Sequence, residues 1–219
     1  MATLLPLKAL CKQFIIVRPV GQAAVPIPGQ TCSIVNYTLM SSEGKNKKYW
    51  WIMGVLVLVL LGRYLYMKPV QKEGEKLPPL EAIRLDGQPF SLEKMRGRYV
   101  VLDFWGSWCG PCRRANPELV ALYQQFGQAS FADAAGFSIV SVGIEEDKDR
   151  WLNAINRDGL VWPDHILDLS SSLRFFNSPI AAAFGIRQVP TTYFIGPSGD
   201  IIAINLPPDQ IRRYLETKM

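Results

Sequence analysis

Cys109 and Cys112 stand two residues apart in the run Trp108-Cys109-Gly110-Pro111-Cys112. Thiols at that spacing close a small disulfide ring only where the backbone curls, and a helix start supplies the curl. Pro111 suits a first helical turn, where its missing N–H costs no hydrogen bond. Leu119, Leu122, Tyr123 and Phe126 then recur at helical spacing, which predicts a helix through Phe126. Cys109 therefore falls at a helix N-terminus, where unpaired N–H groups and the helix dipole favour negative charge. A thiol there has a lowered pKa and acts as a nucleophile. Cys112, one turn further in, is placed to resolve a mixed disulfide. The chemistry that fits this pattern is thiol–disulfide exchange.

Other uses of such a pair fit less well. A zinc site needs a second pair or two histidines. This chain has one histidine, His165, which reads as structural, and its remaining cysteines, Cys11 and Cys32, lie far upstream without a motif around them. A purely structural disulfide over so short a loop would stabilise little. No metal or cofactor is expected.

The elements that must position the dithiol are legible around it. Tyr99–Phe104 is a nearly all-apolar run that reads as a central strand feeding straight into the cysteines. Asp103 interrupts that run, and an acid there is expensive unless it has a task or a backbone partner. Leu80–Leu85 alternates apolar and polar, and Asp86-Gly87 is a hairpin signal, so a small β-element precedes the core. Phe137–Val142 reads as the next strand, 147–158 as a charged amphipathic helix carrying Trp151, Leu152 and Ile155, and His165–Leu167 as a short strand. A helix ending at Phe184-Gly185 follows. Thr191–Ile195 and Asp200–Asn205 form a terminal hairpin around Pro197-Ser198-Gly199, and Ile211–Lys218 closes as a helix. Strands alternating with helices and ending in a hairpin give an α/β fold with a central mixed sheet flanked by helices.

The net charge of +5 over 219 residues suggests nucleic acid until it is divided. Residues 1–67 carry seven Lys/Arg and one acid, Glu43; the remainder carries 17 Lys/Arg against 18 Asp/Glu. The excess precedes or lies within an apolar segment and speaks of topology, so nucleic-acid binding has no support. Residues 49–67 are the candidate transmembrane anchor: Trp50 through Gly62 has no charge, Arg63 can snorkel, and Tyr49, Trp50, Trp51, Tyr64 and Tyr66 suit interfacial belts. No small-x-small site follows, which favours an uncleaved signal-anchor. Lys45, Lys47 and Lys48 favour a cytoplasmic N-terminal side, against the weaker opposing vote of Arg63, Lys68 and Lys72. That topology predicts a single-pass protein of the inner (cytoplasmic) membrane with its dithiol domain in the periplasm, where disulfide chemistry has substrates. Residues 1–48 form an N-terminal extension. Its first 39 residues read either as a basic, acid-poor targeting stretch or as sequence upstream of a start at Met40, the reading favoured here. Residues 68–79 read as a polar tether and 80–219 as the folded domain.

Two stretches carry a resemblance: Val101-Leu102-Asp103-Phe104-Trp105-Gly106-Ser107-Trp108-Cys109-Gly110-Pro111-Cys112 and Gly185-Ile186-Arg187-Gln188-Val189-Pro190-Thr191-Thr192-Tyr193-Phe194-Ile195. From about residue 77 to 219 the chain resembles the thioredoxin-like fold, and within it the membrane-anchored TlpA/ResA-like thiol-disulfide oxidoreductases related to AhpC/TSA. The resemblance implies a catalytic set of Cys109, Cys112 and Asp103, with Asp103 beneath the dithiol exchanging a proton with Cys112. It implies a cis-proline loop at Val189-Pro190 facing the dithiol and offering backbone to a substrate peptide. Trp108 either shields the dithiol and contacts substrate or simply packs. Glu146 falls near an accessory acid of the ResA-like branch, although Glu145 could hold that place and a surface Glu in a charged run is the plainer reading. The Gly-Pro pair between the cysteines resembles thioredoxin, whose potential is about −270 mV, rather than strong oxidants near −120 mV. A reductase of exported protein disulfides follows, serving apocytochrome-type or other exported thiol proteins and re-reduced by a membrane electron donor. Two alternatives remain on the same fold. A peroxiredoxin-like peroxidase would need a threonine where Gly106 stands, and a copper-binding assembly protein would need a wider cysteine spacing with a placed histidine.

Overall fold

The computed structural model describes residues 43–67, 70–171 and 177–219. The readings on Cys11, Cys32 and the Met40 start lie outside the described residues.

The first element, α1 (Glu43–Tyr66), is one continuous helix. Within it Lys47–Tyr66, 20 residues, is long and apolar enough to cross a membrane, and none of it is buried against protein. At 1.5 Å per residue that span is about 30 Å, the thickness of a bilayer's hydrocarbon core. The helix starts ahead of the predicted Tyr49: the lead-in holds no proline, and its lysines and Glu43 are good helix formers that outweigh Gly44 and Asn46.

The domain that follows is a five-stranded sheet in the order β5-β4-β3-β6-β7, with a separate two-stranded sheet β1-β2. β1 (Glu81–Ile83) and β2 (Pro89–Ser91) are the expected hairpin, and a 3-10 turn, Leu92–Met95, leads away from it. β3 (Tyr99–Trp105) lies at the centre of the large sheet. It pairs in parallel with β4 (Phe137–Glu145), which pairs in parallel with β5 (Asp164–Leu169). On its other side it pairs antiparallel with β6 (Thr191–Ile195), itself antiparallel to β7 (Ile201–Ile204). Parallel neighbours need crossovers, which α2 (Gly110–Phe126) and α3 (Lys148–Asp158) supply. α4 (Pro179–Ala183) precedes β6, and α5 (Pro208–Glu216) ends the fold. This is the mixed α/β sheet that the alternation of strands and helices implied.

The alternation of side chains along β3 divides the core into two layers. Tyr99, Val101 and Trp105 face one layer, with Leu119, Leu122 and Phe126 of α2, Trp151 and Ile155 of α3, and Ile211 and Leu215 of α5. Val100, Leu102 and Phe104 face the other, with Phe90 of the hairpin and Phe184 after α4. Asp103 has the parity of Val101 and Trp105, so it points to the layer that α2 covers. Residues 70–79, expected as a polar tether, are bound along the domain. Gly74 N–H donates to the Ile201 carbonyl at 2.8 Å, Ile201 N–H donates to the Glu75 carbonyl at 2.9 Å, and Tyr193 Oη donates to Gln71 Oε1 at 2.7 Å. β7 is the sheet's edge, and an edge strand has free N–H and C=O groups that this segment satisfies.

Candidate active site

α2 begins at its cap. Cys109 has extended backbone, φ −84° and ψ 100°, and its Sγ accepts the Cys112 backbone N–H at 3.2 Å. A sulfur capping a helix this way receives one of the unpaired first-turn donors and the positive end of the dipole. Gly110 and Pro111 fill the first two helical positions, and the cysteines are joined as a disulfide with Cα atoms 5.3 Å apart. Both are buried.

Beneath the pair lies a cavity of about 180 Å³ whose lining includes Cys112, Asp103, Pro190, Thr192, Asn205 and Leu206. Asp103 is 4 % exposed. Burial pushes its carboxyl up to about 7, opposed by the Thr192 hydroxyl, which donates to Oδ1 at 3.2 Å. Thr192 is itself held by Asn205. The Thr192 N–H donates to Asn205 Oδ1 at 2.9 Å, the Asn205 N–H donates to the Thr192 carbonyl at 2.7 Å, and Asn205 takes φ 55° to make both bonds. The Val189–Pro190 peptide is cis, with Val189 half-buried and Pro190 exposed at the cavity. Cys112, Asp103 and Pro190, read separately from the sequence, thus meet at one cavity.

The loop before Cys109 is pinned from two sides. Ser107 donates its N–H to Glu145 Oε1 and its hydroxyl to Oε2 at 2.9 Å. Its carbonyl accepts from Arg113 Nη1 at 3.4 Å. Arg113 is gripped bidentately by Asp158 at the end of α3, and Asn116 Nδ2 donates to the same carboxylate at 2.7 Å. Glu145 is 2 % exposed, and burial raises its carboxyl above the usual range while the two Ser107 bonds pull it down. Glu146 is exposed, one residue past the end of β4. Strand parity explains the difference: β4 sends Phe137, Ile139 and Glu145 to the α2 side, and Glu146 lies beyond the last strand residue. Ser107, Arg113, Asn116 and Asp158 had no sequence signal, because each is ordinary until its partner, 38 to 45 residues away, is known.

Trp108 is 38 % exposed, with Nε1 donating to the Ile144 carbonyl at 2.8 Å. The indole folds back over Gly106, where an added Cβ would stand 2.5 Å from Nε1. A threonine at 106, which the peroxidase alternative needs, would displace Trp108. His165 is buried on β5, stacked on Trp162 with ring centroids 5.6 Å apart, and burial pushes its imidazole down to about 4. Its setting is an aromatic core, and among the described residues no group of three or more His, Cys, Asp or Glu is placed to hold a metal ion.

This chain is similar to curated and solved proteins over its dithiol domain. It is 27% identical over 168 residues to thiol-disulfide oxidoreductase ResA of Halalkalibacterium halodurans, covering 74% of this chain and 88% of that one. It is 27% identical over 164 residues to the thioredoxin-like protein YneN of Bacillus subtilis, covering 71% and 89%. Among solved structures, a thiol-disulfide oxidoreductase from Bacteroides fragilis superposes with a TM-score of 0.55 at 28% identity, covering 65% of this chain and 98% of that one. The thioredoxin domain of a thiol-disulfide oxidoreductase from Bacteroides vulgatus gives 0.55 at 25%, covering 66% and 99%. The fold is thioredoxin-like. Residues 74–204, more than half the sequence and including Asp103, Cys109, Cys112 and Pro190, match the AhpC/TSA family, and the chain belongs to that family.

Proposed function

We propose that this protein is a membrane-anchored thiol-disulfide oxidoreductase that reduces disulfides of exported proteins. The observation that carries the reading is the Cys109–Cys112 disulfide at the cap of α2, above a cavity that holds the buried Asp103. In the reduced state Cys109 is the better anion, since the N–H groups of the first turn of α2 and the helix dipole converge on its sulfur. Its thiolate attacks one sulfur of the substrate disulfide. That S–S bond breaks, a mixed disulfide forms, and the other substrate sulfur leaves as a thiolate that takes a proton. Cys112 then yields its proton to Asp103, whose raised pKa suits it as an acceptor near neutral pH. The Cys112 thiolate attacks Cys109 Sγ, the second substrate thiol departs, and two electrons have passed from the dithiol to the substrate. Val189 and Pro190 border the approach and offer main chain for pairing with an extended substrate segment. Trp108 walls the dithiol.

The membrane part of the reading rests on α1 and on the lysines before it. The dithiol domain then sits on the periplasmic side, takes apocytochrome-type or other exported thiol proteins as substrates, and is re-reduced by a membrane electron donor. The reduction potential of the Cys109–Cys112 pair, measured by equilibration with glutathione or dithiothreitol, tests the direction. A value near or below about −250 mV is expected, as for thioredoxin; one near about −120 mV would make the protein an oxidant of exported thiols.

A further inference from the structure

A second pocket, of about 250 Å³, opens beside the dithiol loop and is lined by Ser107, Arg113, Arg150, Asn153, Ala154 and Arg157. Its α3 side is one helix face, positions i, i+3, i+4 and i+7. Arg113 enters from α2, one residue after Cys112, and Ser107 precedes Cys109 by two residues. Three arginines therefore line one pocket beside the loop that leads into Cys109. Arg113 is paired with Asp158, and Arg150 lies close enough to Glu145 for its charge to pull that carboxyl down. Arg150 and Arg157 are exposed and, among the described residues, form no salt bridge. Of the nearby acids, Glu145 takes both Ser107 donors and offsets part of the Arg150 charge, Asp147 caps α3 through the N–H groups of Asp149 and Arg150, and Glu146 and Asp149 lie on the surface. The pocket keeps a positive excess in a concave, polar setting. Guanidinium forks in such a setting match carboxylates, and Arg holds them with two parallel N–H donors.

We propose that this pocket docks an aspartate or glutamate side chain of the protein substrate, flanking the disulfide that Cys109 attacks. The site thereby selects acidic substrates. This inference rests on the thiol-disulfide reading above.

The test uses the full chain in detergent, pre-reduced and freed of reductant, reacting in a single turnover with three peptides of one disulfide each, flanked by Glu, Ser or Lys. The wild-type chain should reduce the Glu peptide roughly three- to tenfold faster than the Ser peptide at low salt, and the Lys peptide slowest. Two partly exposed ion pairs supply about that much. The Glu-to-Ser ratio should fall to about one in the double variant Arg150→Gln, Arg157→Gln, and also at about 1 M salt, where screening acts within about 3 Å. Equal rates for Glu and Ser peptides in the wild-type chain would overturn the proposal, as would a Glu preference that survives the double substitution. If the wild-type chain reduces none of the three, the thiol-disulfide reading itself fails and takes this inference with it.

Discussion

Cys109 and Cys112 share a ring but not an environment. The Cys109 sulfur receives an N–H at the cap of α2, and Cys112 lines the cavity that Asp103 shares. Replacing Cys109 with Ser should abolish reduction of a protein disulfide. Replacing Cys112 with Ser should instead let the first attack proceed and leave the mixed disulfide standing, seen by mass spectrometry as a covalent adduct that dithiothreitol removes. Adduct formation by the Cys109 variant and not by the Cys112 variant would reverse the assigned roles. Asp103 makes a prediction about stability as well. Its carboxyl is pushed from 3.8 to about 7 by burial. Between those values the folded chain keeps a proton that the unfolded chain has released, so the contribution of Asp103 to stability is fully present below about pH 4 and is lost as pH rises through about 7. The loss is on the order of 4 kcal/mol. Asp103→Asn should flatten that profile, matching the wild type near pH 4 and exceeding it near pH 8 in denaturant titrations. An unchanged profile would mean that Asp103 is not the buried titrating group.

The loop between β3 and α2 is held by elements that are remote in sequence, and its supports can be removed singly. Glu145, at the end of β4, takes both donors of Ser107. Glu145→Ala leaves the half-buried Ser107 donors without that partner and should cost about 1–2 kcal/mol, with a fall in Tm of several degrees in calorimetry. It should also slow dithiol exchange, because Ser107 sets the approach of Trp108 and Cys109. Full activity with intact Tm would show the contact to be incidental. On the same strand Gly143 makes room for Trp151 of α3, since a Cβ there would stand 2.2 Å from the indole Nε1. Gly143→Ala forces that wide ring off its seat and should destabilise by about 1–3 kcal/mol. Loss of α3 packing would in turn loosen Asp158, and with it the grip on Arg113.

Across the whole molecule, the dithiol domain and the apolar helix answer to different solvents. α1 exposes Trp50, Trp51 and a continuous aliphatic surface, which water does not tolerate as an isolated helix and a bilayer does. The full chain should stay with the membrane fraction through an alkaline carbonate wash. A chain beginning at residue 70 should partition into the soluble fraction with its dithiol activity unchanged. It would keep Gln71, Gly74 and Glu75, which are bonded into the domain and must not be trimmed. Release of the full chain by carbonate would remove the anchor from the proposed function.

Much of this protein is a local matter and is therefore legible in its sequence. The strand Tyr99–Trp105, the helix after Cys109 and the turn at Asp86-Gly87 are each dictated by hydrophobic period, a proline in a first turn or a glycine in a corner, over a few residues. The dithiol, the odd acid at 103 and the Val189-Pro190 loop could be picked out for the same reason: a residue type conflicts with its neighbours or carries a rare spacing. Their meeting at one cavity could not be read that way, because Asp103 and Thr192 lie on paired strands 89 residues apart. The choice between Glu145 and Glu146 turned on the last residue of a strand, a boundary that composition does not mark. The binding of residues 70–76 along β7, the Glu145–Ser107–Arg113–Asp158 chain and the arginine pocket beside it likewise exist only once sheet order and helix placement have been set. Hydrogen bonds and charges act over a few ångströms, so tertiary structure alone decides which of many ordinary Ser, Arg and Asp residues fall within that reach.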